Sequence, residues 1–180
     1  MRIISGTLKG RNIIAYGNLP VRPTTDFAKT GLFNILNNYF DFENVSVLDL
    51  FCGIGSISLE FASRGSKQVT CVDDHAGCLG FIKECAEKFS LAAISTMKAD
   101  AFKYIEKLDK KYDIIFADPP FDSTETDRLP DLVLEKKLLN QDGWLIVEHQ
   151  SKRVLKSIAQ PWQVRKYGNC TFSIYTEPNT

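Results

Sequence analysis

Three groups of residues have the types and spacing to do chemistry. The first is Asp118-Pro119-Pro120-Phe121, which follows the strongest apolar run of the chain, residues 112–117. Two consecutive prolines fix the backbone, so the Pro119 carbonyl is held in one direction with no local helix to serve. The Asp118 carboxylate puts a second acceptor nearby, and Phe121 offers an aromatic face. A planar, amine-bearing base stacked on that face could donate an N–H to each acceptor. Held that way, the amine lone pair is less delocalised into the ring and is aimed at an electrophile, so orientation supplies much of the rate.

The second group is Asp49-Leu50-Phe51-Cys52-Gly53-Ile54-Gly55, which runs off an apolar stretch into a helical pattern. Two glycines with one spacer let the backbone turn sharply and let a ligand approach closely. The third is Asp73, 20 residues after Gly53. At that distance an acid can bind a ribose diol. Nicotinamide dinucleotides and S-adenosylmethionine both carry such a ribose, so spacing alone does not choose between them. Ser58 stands where a dinucleotide fingerprint takes Gly or Ala, and Asp49 disfavours a pyrophosphate beside it. Both features favour a cationic cofactor.

The elements that must position these groups are legible as patterns. Ile3 and Ile4, then Ile13 and Ile14, flank a glycine-containing turn and read as a small hairpin. Thr24 or Thr25 caps a helix that runs to about Phe40. Strands at residues 45–50, 69–72, 93–97, 112–117 and 144–148 then alternate with helices near 57–62, 79–89, 102–108 and 129–139. That alternation means βαβ units and a mostly parallel sheet. Residues 162–167 and 171–175 are joined by only Gly168-Asn169-Cys170, too little for a parallel crossover, so they form an antiparallel hairpin. The expected fold is α/β: a mostly parallel seven-stranded sheet of the Rossmann-like class I methyltransferase kind, closed by a C-terminal antiparallel hairpin. Residues 1–25 form a basic hairpin extension and residues 26–180 the main domain.

Composition is that of an ordinary folded chain: 180 residues, 44% apolar and 24% charged. Five cysteines without a Cys-x-x-Cys pair argue against a disulfide scaffold or zinc ribbon and fit a reducing cytoplasm. No apolar run suits a membrane helix or a signal peptide. The net charge is zero, but its distribution is uneven. Residues 1–30 carry Arg2, Lys9, Arg11, Arg22 and Lys29 against Asp26, a net of +4. Residues 150–180 carry Lys152, Arg153, Lys156, Arg165 and Lys166 against Glu177, again +4. Basic ends around an acidic middle point to a polyanionic partner met by one surface.

With those residues in place, the chain resembles the bacterial small-subunit (16S) ribosomal RNA guanine-N2 methyltransferases of the RsmD type. The likeness rests on Met1-Arg2-Ile3-Ile4 with Gly6, Lys9-Gly10-Arg11, Arg22-Pro23-Thr24-Thr25-Asp26, Leu32-Phe33-Asn34, Leu48-Asp49 with Phe51, Gly53 and Gly55, Leu59-Glu60, Ser63-Arg64-Gly65, Asp118 to Phe121, and Val147-Glu148. The opening segment and Arg22 to Asp26 single out this family, because the other motifs are shared by many methyltransferases. Phe27, Thr30 and Ile54 depart from its pattern. The resemblance implies S-adenosylmethionine as cofactor and rRNA within an assembling 30S particle as partner. It implies that Asp49, Phe51, Gly53 and Gly55 line the methionine end, Asp73 holds the ribose, Asp100 and Ala101 meet the adenine, and Thr25 covers the cofactor. Asp118, Pro119, Pro120 and Phe121 would hold the guanine, and Arg2, Lys9, Arg11, Arg22 and Lys29 the RNA backbone.

Other readings of the same residues remain. The Pro-Pro motif also serves amine methylation of adenine N6 in DNA or of a protein glutamine. A non-catalytic RNA-binding assembly factor could keep the same fold. His75 and His149, the two histidines, lie on different elements, and no metal is expected. A monomer is expected.

Overall fold

Short, almost continuously apolar strands buried on both faces set the architecture. The computed structural model describes residues 1–17, 19 and 24–177. Arg22, one of the expected RNA-binding residues, lies outside them. Among the described residues the order is α1 (Asp26–Leu36), β1 (Ser46–Leu50), α2 (Ser56–Ser63), β2 (Gln68–Asp73), α3 (Ala76–Lys88), β3 (Ile94–Lys98), α4 (Ala101–Lys107), β4 (Tyr112–Ala117), α5 (Leu129–Glu135), β5 (Leu139–Gln150), β6 (Gln163–Tyr167) and β7 (Cys170–Thr176). The sheet order is β3-β2-β1-β4-β5-β7-β6. The first five strands pair in parallel, and β7 is antiparallel to both β5 and β6. None of these helices is long and apolar enough to cross a membrane.

Two apolar cores form, one on each face of the sheet. Val47, Ile114, Phe116, Trp144 and Ile146 join α1, α2 and α3 in the first. Leu48, Ile115, Ala117, Leu145 and Val147 join α4 and α5 in the second. Side chains alternate strictly between faces of a strand. The next alternate positions after Val47, Phe116 and Ile146 are Asp49, Asp118 and Glu148. Three carboxyls therefore project from the face that carries α1 to α3. They do so where β1 and β4 diverge to opposite halves of the sheet, the switch point at which such sheets bind ligands.

The structure differs from the sequence reading at two places that matter. Helix α5 ends at Glu135 rather than near Leu139. Lys137 takes a left-handed φ of 52° and Leu138 N–H donates to the Val133 carbonyl, which closes the helix and frees Leu139 to begin β5. The opening hairpin contracts to a single antiparallel bridge, Arg2 to Asn12, around a 3-10 turn at Gly6–Leu8. Ile3 N–H still donates across the turn to the Arg11 carbonyl at 2.9 Å and Ile13 N–H to the Met1 carbonyl at 2.8 Å, while other donors are taken by side chains of α2. Ile4 and Ser5 N–H donate to the Glu60 carboxylate at 2.8 and 3.0 Å, and Leu8 N–H donates to Ser63 Oγ at 2.9 Å. Gly6 sits so close to α2 that a Cβ there would lie 1.8 Å from the Ser63 carbonyl oxygen.

Candidate active site

The loop from β1 to α2 owes its shape to three left-handed residues, Phe51, Gly53 and Gly55, with φ of 59°, 51° and 75°. For a bulky residue such as Phe51 this conformation is strained, and strain of this kind gathers at functional sites. Its ring meets Phe102 edge to face at 5.9 Å. A Cβ on Gly55 would come within 2.8 Å of Ile82, so the glycine lets α2 and α3 close together. Gly53 N–H donates to Asp73 Oδ2 and His75 N–H to Asp73 Oδ1, both at 2.8 Å. Asp73 thus ties the end of β2 to the glycine loop, and each oxygen keeps a lone pair for a hydroxyl donor.

Behind the loop lie the carboxyls of Asp49, Asp118 and Glu148. Among the described residues no ion pair reaches any of them. Asp49 is buried and accepts from Ser58 Oγ. Burial pushes its carboxyl up to about 7, against the Ser58 hydrogen bonds and with help from Asp73 and Glu148. Burial, then the neighbouring Glu148 and Asp49, hold the Asp118 carboxyl well above the ordinary carboxylate range. Glu148 is also raised by burial, although Thr24 Oγ1 donates to it at 2.8 Å and Cys170 Sγ at 3.2 Å. Three acids share one apolar face with no cation among them, so the site favours an added positive charge.

The raised Asp49 carboxyl has a measurable consequence. Its unfolded value is about 4. Between about pH 4 and pH 7 the folded protein therefore holds more protons than the unfolded chain. The contribution of Asp49 to stability falls as pH rises through that window. Asp49→Asn removes the cost while keeping an acceptor for Ser58. Its melting temperature relative to wild type is expected to climb from pH 5 to pH 8. A flat or falling difference would contradict the burial argument.

Asp118 follows β4 and its N–H donates to the Leu50 carbonyl. Pro119 is buried, and no donor of the described residues reaches its carbonyl oxygen. Phe121 is 45% exposed, with its ring available. The loop beyond it is pinned by Arg153, whose guanidinium donates to the Phe121 and Ser123 carbonyls at 3.3 and 3.0 Å and pairs with Asp127 at 3.2 Å. Pro119, Pro120, Phe121, Glu148, His149 and Arg153 line one small cleft.

Several expected site residues have other work. Thr25 Oγ1 accepts from Ala28 N–H as the cap of α1, and its neighbour Thr24 is the one that reaches the acid cluster. Asp100 caps α4 by accepting from Lys103 N–H at 2.9 Å. Ala101 packs its methyl into the second core, which leaves only its backbone for a ligand. Arg2, Lys9 and Arg11 are exposed, Arg2 paired with Asp26 and Arg11 lying 5.0 Å over Phe89. Lys29 must be corrected. It is 0% exposed, donates to the Arg2 carbonyl at 2.6 Å and faces Glu60 at 3.5 Å, so it holds the fold and not RNA. Sequence reasoning passed over Thr24, Ser58, Glu148 and Arg153 as site residues. For Glu148 a signal existed: it continues the Trp144, Ile146 alternation onto the face of Asp49 and Asp118.

Comparison with known proteins adds to this geometry. The family described as Conserved hypothetical protein 95 matches residues 1–176. Ribosomal RNA small subunit methyltransferase D of Buchnera aphidicola subsp. Baizongia pistaciae is 30% identical over 92% of this chain and 85% of its own. The chain belongs to the family of ribosomal RNA small subunit methyltransferase D. A hypothetical protein of Thermus thermophilus superimposes with a TM-score of 0.84 at 20% identity, over 97% of this chain and 98% of that one. An RNA methyltransferase of Salinibacter ruber, solved with S-adenosyl-L-homocysteine, gives 0.68 at 14% identity over 88% and 95%. The fold of this methyltransferase D family member is thus the Rossmann-like class I methyltransferase fold expected from its strand pattern.

Proposed function

We propose that the protein transfers a methyl group from S-adenosylmethionine to the exocyclic N2 amine of a guanine in small-subunit (16S) ribosomal RNA. The observation that carries this reading is the end of β4. There the Asp118 carboxyl, the unengaged Pro119 carbonyl and the exposed Phe121 ring stand together beside a glycine loop. Membership of an rRNA methyltransferase family supports RNA as the substrate.

The residues present fit the cofactor. S-adenosylmethionine supplies a methyl group on a positively charged sulfur, and the unpaired carboxyl cluster of Asp49, Asp118 and Glu148 is what such a charge would neutralise. Asp49, Phe51, Gly53 and Gly55 hold its methionine end. Asp73 accepts from the ribose hydroxyls with its spare lone pairs. Asp100 and the backbone of Ala101 would border the adenine, and Thr25 would cover the cofactor.

For the substrate, Phe121 stacks the flipped base, which has left its helix to reach a recessed site. The Asp118 carboxylate and the Pro119 carbonyl accept the two N–H bonds of the amine and orient its lone pair. As the nitrogen gains a fourth bond it becomes cationic, and one of its protons passes to Asp118. The apolar, acid-rich surroundings raise the basicity of that carboxylate and suit it to accept the proton. Arg153 holds the Phe121 loop in place by its two carbonyl contacts. The partner is rRNA in an assembling 30S particle, met in the cytoplasm by a protein acting as a monomer.

The test is transfer of a labelled methyl group from S-adenosylmethionine. Unmodified small subunits, their protein-free rRNA and duplex DNA would be offered in parallel, then digested to nucleosides. Label is expected in N2-methylguanosine. Label in N6-methyladenine would keep the mechanism and overturn the substrate. No label, with the cofactor bound, would overturn the catalytic reading.

A further inference from the structure

We propose that the groove between α1 and β6 carries the single-stranded RNA that flanks the target base; the inference rests on the RNA reading above and extends it. The groove is about 410 Å³ and is lined by Phe27, Thr30, Gly31, Asn34, Asn38 and Tyr167. The helical positions follow i, i+3, i+4, i+7 and i+11, one face of α1 and the turn after it. The opposite face, with Ala28, Leu32 and Leu36, is in the core. The outer face carries no charge and mixes the aromatic Phe27 with Thr30, Asn34 and Asn38, with Ile35 at its edge.

Its chemistry suits a nucleotide strand. Phe27 is 69% exposed and meets Tyr167 edge to face at 5.6 Å. Tyr167 lies in the hollow left by Gly31, where a Cβ would come within 2.1 Å of its ring. These two rings stand at the catalytic end of the groove, because Thr24, just ahead of α1, reaches Glu148 beside Asp118. Aromatic faces stack bases of any sequence. Farther along, the amides of Asn34 and Asn38 are exposed and bond to no described residue. An amide offers donors and an acceptor to the edges of an unpaired base.

The charge also fits. Along α1 only Asp26 and Lys29 are charged, and both are engaged, by Arg2 and Glu60. Among the described residues no acid lines the groove. Arg165 shares the strand face of Tyr167 two residues away, and its Nε donates to Gln163 at 3.2 Å, leaving its terminal nitrogens outward. From Phe27 to Asn38 the groove face spans about 16 Å at the helical rise, room for roughly three to five stacked nucleotides.

The experiment begins with wild-type protein on protein-free rRNA and on intact small subunits. Phe27→Ala, the pair Asn34→Ala with Asn38→Ala, and Arg165→Ala are then compared for KM, kcat and affinity for S-adenosylhomocysteine. Phe27→Ala is expected to raise KM for RNA about tenfold with kcat and cofactor affinity unchanged. Arg165→Ala is expected to make RNA affinity less dependent on salt. Photocrosslinking of 4-thiouridine-substituted rRNA to wild-type protein should label the peptide of Phe27 or Tyr167. If wild type methylates RNA while every variant keeps its KM and no crosslink falls on α1 or β6, the groove inference fails alone. A KM raised for intact subunits but not for protein-free rRNA would assign the groove to a ribosomal protein and overturn it. No RNA methylation by wild type would overturn the functional reading, and this one with it.

Discussion

Asp118→Ala is expected to lower kcat for methyl transfer by on the order of 100- to 10,000-fold, the range for loss of a positioned acid or base. Affinity for S-adenosylhomocysteine should change little, because that product carries no sulfonium charge for Asp118 to meet. Loss of fold would not explain the result. Asp118 is held beside Glu148 and Asp49 with its carboxyl pushed up, so removing it relieves repulsion and desolvation. The variant should melt at or above wild type at pH 8. Asp118→Asn separates the two roles assigned to the side chain. It keeps one acceptor oxygen for the amine but cannot take its proton. If orientation were the whole contribution, Asn would retain most of the rate. A rate near that of the Ala variant would assign most of the effect to proton acceptance. Single-turnover transfer with saturating cofactor and RNA reads the chemical step directly. A wild-type rate constant in the Ala variant would remove Asp118 from the mechanism.

The fold and site were readable to different depths, for physical reasons. The five parallel strands stood out because runs such as 112–117 are apolar on both faces, as buried parallel strands must be. The closing hairpin stood out because Gly168-Asn169 leaves no length for a crossover. The helix end at Glu135 did not, since a left-handed lysine at position 137 breaks no sequence rule and is imposed by packing. The opening hairpin pairs as a short antiparallel bridge, but what anchors it was not legible. Ile3 and Ile13 are buried but Ile14 is exposed, and beyond its own cross-pairs the segment is held by Glu60 and Ser63, side chains of a distant helix. No local pattern announces them. The Asp118 motif was visible because proline geometry is local, whereas the carboxyl cluster is a product of register. Asp49 lies opposite Phe116 across β1 and β4, and Ala117 opposite Val147 across β4 and β5. Only those pairings bring the three acids together.

Lys29 was misread for the same reason, and its surroundings make the second large effect. Glu60 is fully buried and accepts four donors: Ile4 N–H, Ser5 N–H, Arg64 Nε at 2.9 Å and the Lys29 ammonium at 3.5 Å. Arg64 is held in turn over Phe33 at 4.5 Å. Glu60→Ala would strand a buried ammonium and leave two backbone N–H groups without partners. Breaking a buried pair from one side costs about 3–5 kcal/mol, and the orphaned N–H groups add to it. Lys29→Met is a different case. It removes the ion that burial already disfavours, since desolvation lowers the Lys29 pKa against the pull of Glu60. Methionine fills much of the same space, and Glu60 keeps Arg64 and both N–H donors. Its cost should be less than half that of Glu60→Ala, read from denaturant midpoints with unchanged m-values. An equal or larger loss for Lys29→Met would mean that the lysine, and not the carboxylate, organises the cluster. The asymmetry matters for function because Glu60 anchors the segment that carries Arg2, Lys9 and Arg11. Protease cleavage within residues 1–17 should therefore accelerate in Glu60→Ala and stay near wild type in Lys29→Met.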